Sequence, residues 1–380
     1  MNFKQAYSLK DLILYFLKLG SIGFGVPVAL VGYMYKDLVE EKKWITEDEY
    51  KEGLALSQLA PGPLASQLAI YIGYIDYRLI GATLAGLAFV IPSFFMVLGI
   101  GFAYVKFGSL PWMQSVFYGV GAAVIGIIAV SSYKLTVKNI AKDYLLWGIF
   151  ITLAITTFIF ESENIWLIIS SGILVWLIKT PPTFLKTTHS FIIFPTLIFA
   201  TTSILLTERL EQIAWFFAKA GTFVFGSGLA IIPFLYSGVV KEYHWLTEQQ
   251  FLDAIAVAMI TPGPVVITVG FIGYLVAGFS GASVASLATF MPCYLFTILP
   301  APYFKKYGKN PAIKSVVEGI TVAAIGAIVG AVILLAKKQF TDLSSILIAM
   351  ITIIVLLKFQ KIKEPIVILI AAIIGMILKN

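Results

Sequence analysis

The chain has 380 residues, of which 59% are hydrophobic and 12% charged, and its mean hydropathy is +0.93. Soluble domains carry about a quarter charged residues. Half that charge cannot cover a water-facing surface, so a soluble enzyme, a disordered protein and a single-pass receptor are excluded. The 27 Lys and Arg against 20 Asp and Glu leave +7, which in a lipid-solvated chain reports loop placement and not nucleic-acid binding.

Taken in chain order, Met1 to Asp11 carries Lys4 and Lys10 ahead of an apolar stretch too long for a signal-peptide core, and it reads as a retained first span. Charged and Gly/Pro clusters then delimit spans near 12–35, 52–75, 79–105, 112–134, 143–160 and 163–179. A linking span follows near 188–206, and six more lie near 211–238, 250–278, 280–304, 312–336, 342–358 and 364–379. Each is of the order of the roughly 20 apolar residues a helix needs to cross a bilayer. The expected fold is an all-α polytopic membrane protein of about 13 transmembrane segments. Alternating the loops puts 16 Lys and Arg on the N-terminal side and 8 on the other. The positive-inside rule then places the N-terminus in the cytoplasm and, with thirteen spans, the C-terminus outside.

The chain repeats itself. Phe16-Leu17-Lys18-Leu19-Gly20 matches Phe217-Ala218-Lys219-Ala220-Gly221, Trp44-Ile45-Thr46-Glu47 matches Trp245-Leu246-Thr247-Glu248, and Pro61-Gly62-Pro63 matches Pro262-Gly263-Pro264, all at an offset of 201. Residues 16–63 share 16 identities in 48 positions with their counterparts. After a one-residue gap the match continues at an offset of 200, through Ile72-Gly73-Tyr74, Pro92, Gly119 and Gly126. Three units follow: a first repeat over 1–180, a linking span over 181–209 and a second repeat over 210–380. Six spans plus one make the second repeat start from the opposite side, which is the inverted-repeat architecture of secondary transporters.

Breaks at matching places in such repeats point to the binding site. The first pair is Gly20-Ser21-Ile22-Gly23-Phe24-Gly25-Val26-Pro27 and Gly221-Thr222-Phe223-Val224-Phe225-Gly226-Ser227-Gly228; the second is the two Pro-Gly-Pro tripeptides. Proline lacks an amide hydrogen and disrupts the preceding turn, so Pro-Gly-Pro ends one half-helix and starts another, in a broken span or in a re-entrant hairpin. A half-helix starting after Pro63 or Pro264 would offer free N–H groups and a positive dipole end to an anion. The candidate substrate-binding residues are Lys18, Ser21, Gly23, Gly25, Pro61, Gly62, Pro63, Lys219, Thr222, Gly226, Pro262, Gly263 and Pro264.

Lys18 and Lys219 either supply cationic charge to a divalent oxyanion or snorkel to the headgroups. Glu52 and Asp253, also repeat partners, either complement a helix N-terminus or serve in gating or proton coupling. Ser57, Gln58, Ser66, Gln67 and Thr268 near the breaks suit a releasable oxyanion or satisfy freed backbone groups. Trp44 and Trp245 read as interfacial anchors. Neither His189 nor His244 has a partner at metal-ligand spacing, there is one cysteine, Cys293, and no Walker loop is present. No cofactor is expected. Small-residue pairs such as Gly81–Ala85 and Gly326–Gly330 pack helices within the chain or between two copies of a homodimer.

At these residues the sequence resembles the chromate transporter family in its long two-domain form. The resemblance rests on Phe24-Gly25-Val26-Pro27, Phe225-Gly226-Ser227-Gly228, both Pro-Gly-Pro tripeptides and the Trp44 and Trp245 loops, and covers roughly 12–135 and 213–336. Val26 stands where the family has a second Gly, and Ser227 and Gly228 replace Gly and Pro in the second half. The resemblance implies export of chromate across the cytoplasmic (inner) membrane, driven by the proton or another ion gradient and conferring chromate resistance, with sulfate as the competitor of like shape and charge. Other anions and a passive anion channel are the rival readings; a membrane enzyme lacks the acid–base or metal constellation it would need.

Overall fold

The computed structural model describes residues 7–23, 27–108, 110–140, 142–162, 164–181, 208–222, 224, 228–304, 310–340, 342–359, 362 and 364–379. The linking span expected near 188–206, and Gly25 and Gly226, lie outside them. Among the described residues all regular structure is helical, as it must be where no water can satisfy an open strand edge.

The first half holds α1 (Leu9–Ile22), α2 (Pro27–Tyr35, continued by a π-helical stretch Lys36–Glu41), α3 (Glu47–Leu59), α4 (Leu64–Phe107), α5 (Pro111–Ile140), α6 (Tyr144–Phe160) and α7 (Ile165–Lys179). The second holds α8 (Glu208–Thr222), α9 (Ile232–Leu235, continued by a π-helical stretch Tyr236–Glu242), α10 (Glu248–Ile260), α11 (Thr268–Ile298), α12 (Pro311–Gln339), α13 (Leu343–Lys358) and α14 (Glu364–Lys379). The repeated Trp-x-Thr motif has a local cause. Thr46 and Thr247 are N-caps, closed into capping boxes by Glu49 and Gln250, and such caps stabilise a helix start by about 1 kcal/mol.

The segments around the four breaks double back. Tyr7, at the start of α1, stacks on Trp44, beyond the end of α2, with ring centroids 4.8 Å apart, and Tyr15 Oη donates to Asp37 at 3.1 Å. Tyr7 also donates to Asp76, while Tyr77 Oη donates to the Tyr7 carbonyl at 2.7 Å. Residues 7, 44 and 77 therefore share one end. Helices α1 and α2 form one hairpin, and α3 with the first arm of α4 forms a second. In that second hairpin Gly53 lies against Tyr71, nine residues either side of Gly62. The second half repeats this, with Phe216 against Phe234 and Tyr243 (5.3 and 5.6 Å) and Phe217 against Trp245 (6.3 Å). The stretches that hydropathy marks as crossings at 52–75 and 250–278 are thus hairpins, the second of the two forms the sequence left open for Pro-Gly-Pro, and those at 12–35 and 211–238, which hydropathy reads as single spans, double back as well. Helix α4 then bends at Arg78 (φ 51°) and α11 at Ala277–Gly278. Gly73 and Gly81, like Gly273 and Gly281, let the two arms of each bend touch backbone to backbone.

The remaining helices are exchanged between the halves. Helices α6 and α7 pack on α12, while α13 and α14 pack on α5; α4 meets α11 and α5 meets α12 at the centre. Small residues permit these crossings. A Cβ on Gly119 would stand 2.0 Å from the Ala371 carbonyl oxygen, and one on Gly319 2.5 Å from that of Ser171. Gly326 and Gly330 face the carbonyls of Phe150 and Ala154 on α6, so this small-residue pair packs within the chain. Ion pairs tie the helix ends. Lys179 bridges Asp143 (2.7 Å) and Glu318 (2.8 Å) at one end of α6, and Lys241 meets Glu161 (2.5 Å) at the other. Among the described residues four helices are long and apolar enough to cross a membrane (Leu64–Phe107, Trp112–Ile140, Val265–Tyr303 and Pro311–Gln339), and α6, α7 and α13 are shorter apolar ones. Exposed Ile151, Phe160, Trp166 and Ile351 form part of the outer apolar surface.

Candidate functional site

Each Pro-Gly-Pro turn is the tip of a hairpin, and each tip meets the first hairpin of the opposite half. The Gly62 N–H donates to the Val224 carbonyl at 2.5 Å, and the Gly263 N–H to the Gly23 carbonyl at 3.0 Å. Both partners of one bond lie 201 residues from both partners of the other, so the contact is reciprocal. Gly62 has φ +145° and Gly263 φ +98°, conformations that side chains with a Cβ rarely adopt. The prolines stop the preceding helix and leave the glycine amide free to bond across the halves.

Pro92 and Pro292 precede another matched pair at the tips. Ser93 Oγ donates to the Pro262 carbonyl at 2.7 Å, and its counterpart Cys293, fully buried, lies beside Gly62. Gln67 Nε2 donates to the Pro61 carbonyl at 2.8 Å, whereas Gln67 Oε1 and Ser66 Oγ are buried without a hydrogen-bond partner. Ser66 belongs to the first turn of α4, where helix N–H groups are unpaired, and the Gln67 N–H closes that turn on the Pro63 carbonyl at 3.0 Å. The first turn of α4 and the turn that opens α11 converge on a void of about 10 Å³ lined by Pro63, Ala65, Gly228, Gly263, Pro264 and Val265. A second void of about 20 Å³ adjoins Thr261 and Gly263. Each is about the size of one water, too small for a tetrahedral oxyanion.

The second void shares Ser131 and Glu364 with a cavity of about 640 Å³ that opens at the Asp143 end of α6. Gln58, Leu59 and Leu64 line it beside the first tip, and Lys134, Lys138 and Lys314 line its outer part. Among the described residues no ion pair is formed by these three lysines. The sequence reading placed them in loops as topology signals. They sit on the last turns of α5 and the first turn of α12, and only the exchange of helices across the halves brings them to one cavity.

The opposite end is shut by a cluster. Lys338 Nζ bonds Glu248 and the Tyr236 hydroxyl (2.7 Å) and lies 3.6 Å from Glu161, while Lys241 lies 2.5 Å from Glu161 and 3.8 Å from Glu248. Glu161 is in the turn after α6, and the hydrogen bond from Lys241 holds its carboxyl below its ordinary value.

The other expected residues separate from the tips. Lys18 lines a cleft of about 750 Å³ between α1 and α2, together with Asp11, Asp37 and Glu41. Lys219 lies over the Trp215 ring at 4.8 Å. Ser21 and Thr222 donate to their own helix, to the Leu17 and Lys219 carbonyls at 2.7 and 2.6 Å. Asp253, 3% exposed, accepts from Tyr104 Oη of the first half (2.6 Å) and from Gln249 Nε2 (2.9 Å). Its counterpart Glu52 bonds Tyr71. The hydroxyl has changed position between the halves: Phe271 stands at the counterpart of Tyr71, and Phe304 at that of Tyr104. Among the described residues no group of three or more His, Cys, Asp or Glu is placed to hold a metal ion.

The sequence profile of the chromate transporter family matches residues 10–176 and again 211–376. The chain belongs to the chromate transporter family. It is 62% identical over 374 residues to a chromate transport protein of Cupriavidus metallidurans, covering 98% of this chain and 93% of that one. A probable chromate transport protein of Synechococcus elongatus is 59% identical, at 99% and 97% coverage, and an uncharacterized transporter of Methanocaldococcus jannaschii 29% identical, at 97% and 94%. No solved structure matches the chain. Family membership and the apolar helices make this a membrane transporter of a family named for an inorganic anion, and the profile's two matches correspond to the two halves.

Proposed function

We propose that this chain is a secondary transporter that exports chromate, a tetrahedral dianion, from the cytoplasm by alternating access. The observation that carries the proposal is the reciprocal meeting of the hairpin tips at the base of a lysine-lined cavity open at one end only. The amide-rich starts of α4 and α11 face each other across a water-sized void, and helix N-termini favour anions. Two relatives named for chromate transport, 62% and 59% identical over nearly the whole chain, support chromate as the cargo. Sulfate is the competing substrate. A passive channel is disfavoured by the closed cluster at the Glu161 end.

The hairpins revise the topology. Eight helical stretches cross: the outer arms of α4 and α11, α5, α6, α7, α12, α13 and α14. With the linking span near 188–206 the total is nine crossings in place of thirteen. The repeats still run in opposite senses, because the mouth of the first-half hairpins lies at the Asp143 end and that of the second half, with Lys241 and Glu248, at the Glu161 end. Relative to the earlier count, Lys36, Lys42 and Lys43 change sides, Lys51 joins them and Lys241 moves opposite, giving 19 Lys and Arg against 6. That sharper asymmetry supports a cytoplasmic Asp143 end and an inward-facing state. In this arrangement Lys134, Lys138 and Lys314 draw the dianion in, the tips part to receive it, and one half rocks against the other.

Counterflow in proteoliposomes, with chromate and sulfate compared under an imposed pH gradient, tests the proposal. Trans-stimulated chromate exchange is expected. Chromate that neither moves nor competes removes the substrate, and flux without trans-stimulation replaces the transporter with a channel.

A further inference from the structure

The open cavity has a shut counterpart at the other end of the molecule. Its α5 wall is Val130, Ser131, Lys134, Lys138 and Asn139. The repeat offset of 200 turns these into Gly330, Ala331, Leu334, Lys338 and Gln339 of α12, at the Glu161 end. The two faces differ in state. Lys134 and Lys138 are exposed, whereas Ala331 and Leu334 are each 3% exposed and Gln339 is 6% exposed. The Gln339 amide is pressed on Gly121, where a Cβ would stand 2.8 Å from Nε2.

Lys138 and Lys338 are thus the same residue of the two repeats. Lys138 faces an open cavity without an ion pair among the described residues. Lys338 has three oxygens around its ammonium: Glu248 Oε1, the Tyr236 hydroxyl at 2.7 Å and Glu161 Oε2 at 3.6 Å. An ammonium has three donors; two of them bond Glu248 and Tyr236, and Glu161 adds a longer ion pair, so oxygen already surrounds the cation.

We propose that Lys338 is the oxyanion-binding cation of the vestibule at the Glu161 end, the counterpart of Lys138, and that Glu248 and Glu161 hold the anion's place while that vestibule is shut. This rests on the transporter reading above. The groups are 21–39% exposed, and ion pairs of that exposure add little to stability, so the arrangement has little value as a fold-holding device. As a latch it has the right strength, because a dianion arriving from the Glu161 end competes with the two carboxylates for Lys338. By mass action it then favours the state in which that end is open. When the end closes again, the carboxylates displace the dianion.

The test uses reporter cysteines in the full-length protein, Ser131→Cys for the open cavity and Ala331→Cys for its shut counterpart. They are labelled with a membrane-impermeant maleimide in oriented proteoliposomes; the native Cys293 is fully buried. Without anion, Ser131→Cys labels at least about tenfold faster than Ala331→Cys. Sulfate, the probe, presented at the Glu161 end accelerates Ala331→Cys labelling severalfold. Adding Lys338→Gln raises anion-free Ala331→Cys labelling, because the latch is gone, and abolishes the sulfate response; Lys338→Arg keeps the response and controls for folding. The proposal is overturned if sulfate does not change Ala331→Cys labelling in the parent, or changes it equally in Lys338→Gln. Absence of chromate counterflow with the sulfate response intact removes chromate as cargo and leaves the role of Lys338 standing.

Discussion

Replacing Gly263 with alanine puts a methyl carbon 2.0 Å from Ser93 Oγ, at a backbone φ of +98°. Two costs follow. A non-glycine residue in so sparsely populated a conformation costs roughly 1–3 kcal/mol, and forcing a methyl into a packed site costs about 1–3 kcal/mol more. If the tip relaxes, it draws the Gly263 N–H away from the Gly23 carbonyl and loosens the contact between the halves. Even the lower sum, about 2 kcal/mol, corresponds to roughly a 30-fold change in an equilibrium constant. Chromate counterflow per reconstituted molecule is expected to fall at least tenfold, with a lower melting temperature and normal membrane insertion. Adding Ser93→Ala removes the oxygen that clashes but not the backbone strain, so it restores only part of both. Gly62→Ala is expected to be milder, since its obstacles are the ends of the Gln67 and Cys293 side chains, at 2.7 and 2.8 Å, which can move. If Gly263→Ala transports and unfolds like the parent, the tip contact is not what transport depends on.

Neutralising Lys134, Lys138 and Lys314 together by glutamine is expected to raise KM for chromate with little change in maximal rate. A dianion about 10 Å from one lysine in water gains roughly 0.8 kcal/mol, and salt screening at that distance shrinks the effect, so the parent's KM should rise with ionic strength and the variant's should not. Asp253→Asn removes the carboxylate buried between the halves at Tyr104; it is expected to abolish pH-gradient-driven accumulation while sparing exchange, and intact accumulation would acquit Asp253 of coupling. Gly119→Leu drives a side chain into the Ala371 carbonyl and should cost several kcal/mol by overpacking, read as a large drop in melting temperature, whereas Gly148→Leu, with open space beside it, should not.

Much of this architecture was legible in the residues. Pro61-Gly62-Pro63 and its counterpart carried enough local physics to mark a helix end, a turn at positive φ and a second helix start. The offset of 201 pairs that break, and the one before it, with their counterparts in the second half. Direction was not legible. Hydropathy reports how many apolar residues lie in a row, and Leu12 to Tyr35 is long enough for a crossing. It reverses midway because of tertiary contacts, Tyr7 on Trp44 and Tyr15 on Asp37, that no periodicity records. Lys18 drew attention because intramembrane charge is rare, but in a hairpin its depth no longer equals its distance along the sequence. Conversely, Lys134, Lys138 and Lys314 looked like ordinary loop charges, because what makes them a group is that α12 of one half packs on α5 of the other.

That exchange also governs how the protein can be made. Helices α6 and α7 emerge from the ribosome by residue 179, but their partner α12 begins only at residue 311. At about 5–20 residues per second, they wait roughly 7–26 s in the bilayer with their Gly-seeking faces uncovered, and α5 waits longer still for α13 and α14. The first half on its own therefore has no complete core. Two halves synthesised as separate chains would have to find each other to become stable, and covalent linkage replaces that search with an intramolecular one. Biogenesis of this chain then ends late, in successive dockings completed when its last two helices meet a helix made near its beginning.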